Sequence, residues 1–482
     1  MLRQPLTSAL TTARRALLPS LIAAAWATPA LSADLLTITR DALDNNAALG
    51  SAEAVTESTR AARDAEQGNL LPQINAQGNA AHSEQFERQS RQGAPGMPGA
   101  GSQDDSVNSA SLTLEATQAL FDALNSREVT KAERQIDQQL YQLAATEQEV
   151  LINVASAYFE ILRAHEILEA RRAQERAIGR QLEQAKEQFD VGLIAITEVE
   201  EAQARFDQSR AERIAGQSDL QVSFEALERL TGKRYSDVEA LGDDMPIQVP
   251  TPDDRQHWVD LAVENNPQVL ASQAGVEVSQ SNVDIARANR LPTVSAFASY
   301  NYDDNDADGV DGYNSEGQVG VQFSLPLYTG GTTTSTIRQN TFLLESSQYD
   351  FEDQRREAVQ QVRSRYTQVS NNVSTVDARR QAIVSNQSAL DATRAGYEVG
   401  TRNIVDVLDA EQNLYNAMAD YASARYDYVI NLLTLRQQAG VLDVDALEEV
   451  NGWLSADSVS FTLPEENADS VTRIGERPTR DS

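Results

Sequence analysis

Along most of this chain apolar side chains recur every three or four positions, and in four short stretches they alternate with polar ones. Leu140, Leu143, Val150, Val154, Tyr158, Ile161, His165 and Leu168 follow the helical period and predict a helix from about Arg127 to Gln188. Shorter helices are predicted at Glu198–Leu230 and Val405–Gln438, each after a Gly-marked turn. No proline interrupts Gly99–Met245 or Leu327–Leu463, so a helix of about sixty residues, roughly 90 Å long, fits in each half. Period two appears at Ile74, Ala76, Gly78 and Ala80, weakly at Leu112 and Leu114, then at Val294, Ala296, Ala298, Tyr300 and Tyr302, and at Val319, Val321, Phe323 and Leu325. Polar, Gly-rich loops are predicted between these strands, at Gln85–Asp105 and Asp303–Gly317. A moderate helix precedes each strand pair and is expected to stop at a Leu-Pro pair. Alternation over about ten residues fits membrane-barrel strands and equally fits a soluble hairpin with one face on a core.

The chain is written twice. Ala42–Leu49 recurs as Ala262–Val269, each followed at the same distance by Leu71-Pro72 or Leu291-Pro292, and Phe189–Glu198 recurs as Tyr397–Asp406. The repeats are bounded at 34–234 and 261–440, with a Pro-containing connector at 235–260, a short segment at 441–454 and a polar tail at 455–482 expected to be disordered.

Composition narrows the classes. Aromatic residues make up 6% of the 482 and the mean hydropathy is −0.45, which suits long helices sharing thin seams better than one thick core. A formal net charge of −32 argues against nucleic acid as a partner. The chain has no cysteine, excluding disulfides and thiolate chemistry, and His82, His165 and His257 lack metal-ligand spacing, so no metal or other cofactor is expected. Arg3, Arg14 and Arg15, an apolar stretch from Ala16 to about Ala27, and small residues up to Ala33 read as a secretory leader over residues 1–33. Nothing later has the apolar length of a spanning helix. Any membrane crossing must therefore use strands. One chain supplies too few to close a wide barrel, so oligomerisation is expected.

The Gly turns carry the most specific local signal. Gly192 and Gly400 stand where a helix ends, and the next helices open with Thr197 and Glu200, or Asn403 and Asp406, in capping-box spacing. Acids cluster just behind, Glu198 with Glu201 and Asp406 with Asp409. Such pairs commonly complement a helix dipole. In a ring of subunits they would multiply into carboxylate rings, a cation-selective element that invites divalent or polyamine cations.

At these residues the chain resembles the TolC family of outer-membrane exit ducts, which serve drug efflux pumps and type I protein secretion. FDVGLIAITEVEEAQARFD at 189–207 and YEVGTRNIVDVLDAEQNLYNAMADYASARYDYVINLL at 397–433 carry the resemblance, with ATQALFD at 116–122 and LPLYTGG at 325–331. It extends from about Asp34 to Leu454. It implies a mixed α+β membrane protein and a homotrimer. Each subunit would give four strands to an outer-membrane β-barrel, continued by a long periplasmic α-helical barrel with an equatorial girdle from 235–260 and 441–454. The tips would form a shut entrance, opened by a periplasmic adaptor (a membrane fusion protein) and an inner-membrane transporter. By position, Asp406 and Asp409 would form the constriction rings. Tyr397 and Arg402 would hold the entrance closed against Thr197 and Glu198 of the neighbouring hairpin, with Glu198 in place of the family's expected Asp. Ile194 matches Arg402 in the first copy, so the latch belongs to the second tip alone. A soluble periplasmic coiled-coil adaptor or scaffold is the alternative, and no catalytic constellation is visible.

Overall fold

The computed structural model describes residues 33–84, 106–242, 244–306 and 312–460. Each sequence repeat becomes a pair of short helices, a pair of strands and a long helical hairpin. The first contains α1 (Leu35–Asn45), α2 (Ala47–Gly68), β1 (Gln73–Glu84), β2 (Ser106–Asp122), α3 (Ala123–Asp190) and α4 (Ile196–Thr231). After β3 (Asp237–Leu241) the second follows with α5 (Arg255–Asn265), α6 (Pro267–Ala288), β4 (Thr293–Asn305), β5 (Gly312–Ser324), α7 (Thr332–Glu398) and α8 (Ile404–Gln438). The chain then adds α9 (Val444–Asn451) and β6 (Leu454–Ser460). With 68 residues in α3 and 67 in α7, each long helix extends about 100 Å.

The single helix expected before each strand pair is broken in two. Asn46 leaves the helical region (φ −67°, ψ 123°), and its side-chain oxygen accepts from the amides of Ala48 and Leu49 at the head of α2. Its Nδ2 donates to the Leu230 carbonyl at the end of α4. Asn266 repeats the arrangement, accepting from Gln268 and Val269 and donating to the Gln438 carbonyl at 2.8 Å. The duplicated Asn-Asn pair is therefore a joint that caps one helix and ties down the last turn of another. The helices also stop a turn before Pro72 and Pro292. Leu71 and Leu291 donate to Gly68 and Ala288 in tight i→i−3 turns, because the residue before proline resists the helical region.

The four long strands form one antiparallel sheet in the order β1-β2-β4-β5. Register aligns the alternation across all of it. Ile74 faces Ala116, Leu114 faces Tyr300, and Phe323 faces Val294. One face thus carries Ile74, Ala76, Leu112, Leu114, Val294, Tyr300, Val319, Val321 and Phe323, while the other carries Gln73, Asn75, Thr113, Ser299, Asn301, Gln318 and Gln322. The apolar face is uncovered: Val319 is 85% exposed and Ile74 71%. The predicted loop at Asp303–Gly317 is shorter than expected, since β4 runs to Asn305 and β5 starts at Gly312, with Tyr302 stacked on Tyr313. Polar residues extend these strands past the apolar band, which disguised them. The loop expected at Gln85–Asp105 lies outside the described residues.

The main core sits mid-length, where α1, α5, α9 and a small β3–β6 sheet pack on the hairpins. Tyr158, Phe159, Leu227, Leu433 and Leu435 are fully or almost fully buried there. Ala33, the residue before the expected leader cut, bridges to Val238, with its amide on the Asp237 carbonyl at 3.1 Å. The polar tail expected to be disordered starts otherwise: Ser458, Val459 and Ser460 pair with Glu239, Val238 and Asp237. Among its described side chains Val459 is the one strongly buried apolar one, too faint a pattern to predict a strand. Residues 461–482 lie outside the described part.

Replacing Asn266 by Ala should cost about 1–2 kcal/mol, the scale of a lost N-cap plus a buried hydrogen bond. Asn266→Asp, which keeps the cap acceptor and loses the donor to Gln438, should fall between. Thermal denaturation of the purified variants measures both, and an Asn266→Ala midpoint equal to wild type would remove the joint from the account.

Candidate gate at the helical tips

Each long hairpin reverses through a glycine in the left-handed region, Gly192 at φ +78° and Gly400 at φ +74°. The amides of Leu193 and Thr401 reach back to the carbonyls of Gln188 and Gly396, both at 2.8 Å, the six-to-one bond that closes a helix end. Beyond the turns the tips differ. At the second, Asn403 accepts from the Asp406 amide at 2.8 Å and Asp406 accepts from the Asn403 amide at 3.2 Å, a complete capping box. At the first, α4 starts at Ile196 with Ala195 as an N-cap lacking any side-chain bond. The box expected from Thr197 and Glu200 is not made, because the helix begins before Thr197, which lies exposed inside its first turn.

Tyr397 leans from α7 onto the first hairpin and donates its hydroxyl to Oε1 of Gln188 at 2.8 Å. Burial and the nearby Glu198 carboxylate push its phenol above the ordinary value, and the bond to Gln188 opposes them. Glu198 is thus an electrostatic neighbour of Tyr397, while within one chain the acceptor is Gln188. Arg402, in the turn between α7 and α8, is 60% exposed and sits 3.9 Å from Asp406 in the first turn of α8. Its stem lies over Gly396, where an added Cβ would come within 2.8 Å of Arg402 Cγ. Asp409 is bound across the hairpins, accepting from Arg205 Nη2 of α4 at 2.7 Å. The structure therefore brings Tyr397, Glu198, Asp406, Asp409 and Arg402 to one end of the molecule, with Thr197 at its surface.

Sequence reading missed Gln188, Arg205 and a charged pair behind them. Glu411 is fully buried and accepts from Arg394 of α7 at 2.6 Å and Gln181 of α3 at 3.3 Å. Its spacing was the signal. Ile404, Val407, Leu408, Glu411 and Leu414 form the buried stripe of α8, and a carboxylate at such a seam position needs a partner from the facing helices. Among the described residues no group of three or more His, Asp or Glu stands close enough to hold a metal ion. The site offers ion pairs and hydrogen bonds between the two hairpins.

Removing the Tyr397 hydroxyl (Tyr397→Phe) should cost about 1 kcal/mol, the usual net worth of one hydrogen bond. A phenol raised in the fold stabilises it fully below the unfolded value of about 10 and loses that contribution as pH climbs through the folded value. Tyr397→Phe should therefore also flatten the decline in melting temperature above pH 10. An unchanged alkaline limb would remove Tyr397 from the contact.

With this geometry in place, comparison with known proteins gives a consistent result. Residues 38–233 and 258–441, the two repeats, match the family described as Outer membrane efflux protein. The outer membrane protein TolC of Vibrio cholerae serotype O1 is 35% identical over 445 residues, covering 91% of this chain and 97% of that protein. The alkaline protease secretion protein AprF of Pseudomonas aeruginosa is 32% identical, over 77% of each chain. The solved structure of CusC superposes with a TM-score of 0.71 at 18% identity, covering 85% of this chain and 93% of that one, a likeness of fold. The chain belongs to the outer membrane efflux protein family.

Proposed function

We propose that this protein is the outer-membrane exit duct of an efflux pump or a type I secretion system, a passive channel gated at its periplasmic helical tips. The observation that carries the reading is the four-stranded sheet with one largely apolar, uncovered face and, among the described residues, two unpaired edges, β1 and β5. From Val294 to Tyr302 the apolar band runs about 26 Å along the strand. At barrel tilt that is roughly 20 Å of height, comparable with the apolar belt of outer-membrane barrels. A soluble scaffold would leave that face in water.

Open strand edges are not tolerated in hydrocarbon. Pairing β5 of one copy with β1 of the next closes a ring, and three copies give twelve strands, within the range of known barrels. The helices favour the same solution. α7 buries only Ala358, Val362, Val369, Val376 and Leu390 within one chain and leaves Phe342, Leu343 and Tyr349 exposed, a face suited to a neighbouring copy. In a homotrimer Asp406 and Asp409 become carboxylate rings at the narrow end, selective for cations. Tyr397 and Arg402 hold the shut state, and an adaptor with an inner-membrane transporter opens it by parting the hairpins.

In planar bilayers the wild-type protein should form small, cation-selective pores. Tyr397→Phe combined with Arg402→Ser should raise their conductance, and Asp406→Ala with Asp409→Ala should weaken cation selectivity and divalent block. Anion-selective pores, or none at any protein load, would sink the channel reading. Val321→Arg, a charge on the outward face, should cost about 2–4 kcal/mol near the bilayer midplane and reduce the carbonate-resistant fraction of the outer membrane. Undiminished insertion would place that face elsewhere.

A further inference from the structure

The two acids of the second tip stand in unequal surroundings. Asp409 Oδ1 accepts from Arg205 Nη2 at 2.7 Å, and the same guanidinium donates through Nη1 to Gln412 Oε1 at 3.2 Å. Arg205 belongs to α4, 204 residues earlier in the chain. Its planar fork therefore spans two acceptors one turn apart on α8, reaching them from the opposite hairpin. Asp406 is held by the amide of Asn403 at 3.2 Å, and its nearest cation, the exposed Arg402, is 3.9 Å away. One carboxylate carries a close guanidinium, while the other keeps most of its charge for the space around it.

We infer that Arg205 sets the selectivity of the constriction. It offsets the charge of each Asp409, so that cation preference rests chiefly on Asp406. The channel then discriminates less between cations and anions than its count of tip acids implies. A permeating ion meets a dipole at the Asp409 level, whose field falls off faster than that of a bare carboxylate. A divalent ion arriving there must also compete with a guanidinium already seated. The inference rests on the reading that both acids face the pore.

Reversal potentials of the full-length protein in a KCl gradient test it, with Mg2+ titrated as the blocking ion. Arg205→Gln should raise the K+/Cl− permeability ratio by about tenfold, since one unit charge roughly 6 Å from the ion in water is a Boltzmann factor of about three that favours K+ and disfavours Cl− alike. It should also lower the Mg2+ concentration needed for block. Adding Asp409→Asn to that variant should return the ratio to the wild-type value, and Arg205→Lys, which keeps the charge, should leave it there. If Asp406→Asn and Asp409→Asn lower the ratio while Arg205→Gln leaves it unmoved, the role of Arg205 is overturned and the pore reading stands. If the double variant keeps the raised ratio, the pairing with Asp409 is overturned. If none of these replacements moves the ratio, the reading of the tips as the constriction fails as well.

Discussion

Backbone amides and carbonyls have no partner in hydrocarbon, and the rest of this molecule answers that constraint. Among the described residues its sheet has four strands, two unpaired edges and an uncovered, largely apolar face, which the proposed barrel would turn to lipid. Among the described residues of one chain neither edge strand has a further partner. The duplicated sequence contributes two hairpins, joined where β2 pairs with β4, and in the proposed barrel further copies would finish the wall. Once the strands close around an axis, the helices that continue them are carried into a ring too. The thin apolar seam of α7, insufficient for a free-standing helix of 67 residues, then has a neighbour.

A ring changes the meaning of small local features. A capping box or a surface ion pair contributes little by itself. Repeated around an axis as proposed, Asp406 and Asp409 would define a field and Tyr397 a closure. The pairs that hold one hairpin to the other, Tyr397–Gln188, Arg205–Asp409 and Gln181–Glu411, lie toward the tips, where the proposed gate would move. The equatorial joints at Asn46 and Asn266 instead fix helix ends against the main core. A stiff middle and separable ends are what a periplasmic entrance requires.

Much of this was legible in the residues. The duplication, the proline-free helices, the glycine turns and the strand faces each follow from a period or from a residue with a single physical use. The breaks at Asn46 and Asn266 were not, because an asparagine cap looks like any polar helix position until its acceptor is in place. Strand β6 was hidden because, among its described side chains, only Val459 is a strongly buried apolar one. The Thr197 box failed because helix starts slip by a residue without changing the apolar stripe. Tip partners were the least legible. Tyr397, Arg402, Asp406 and Asp409 were found through resemblance and spacing, and Glu411 was marked by its place in the apolar stripe of α8, while Gln188 and Arg205 depend on which helices face each other, and no local pattern states that.

The claim on which everything else depends is closure of the strand edges between copies. The chain has no cysteine, so Ile74→Cys on β1 and Phe323→Cys on β5 can be joined by a bismaleimide in intact outer membranes without competing thiols. The account predicts a denaturing-gel ladder of one, two and three linked chains that stops at three, and no linkage with either substitution alone beyond a faint background. Chains that stay single, or a ladder that continues past three, would contradict it.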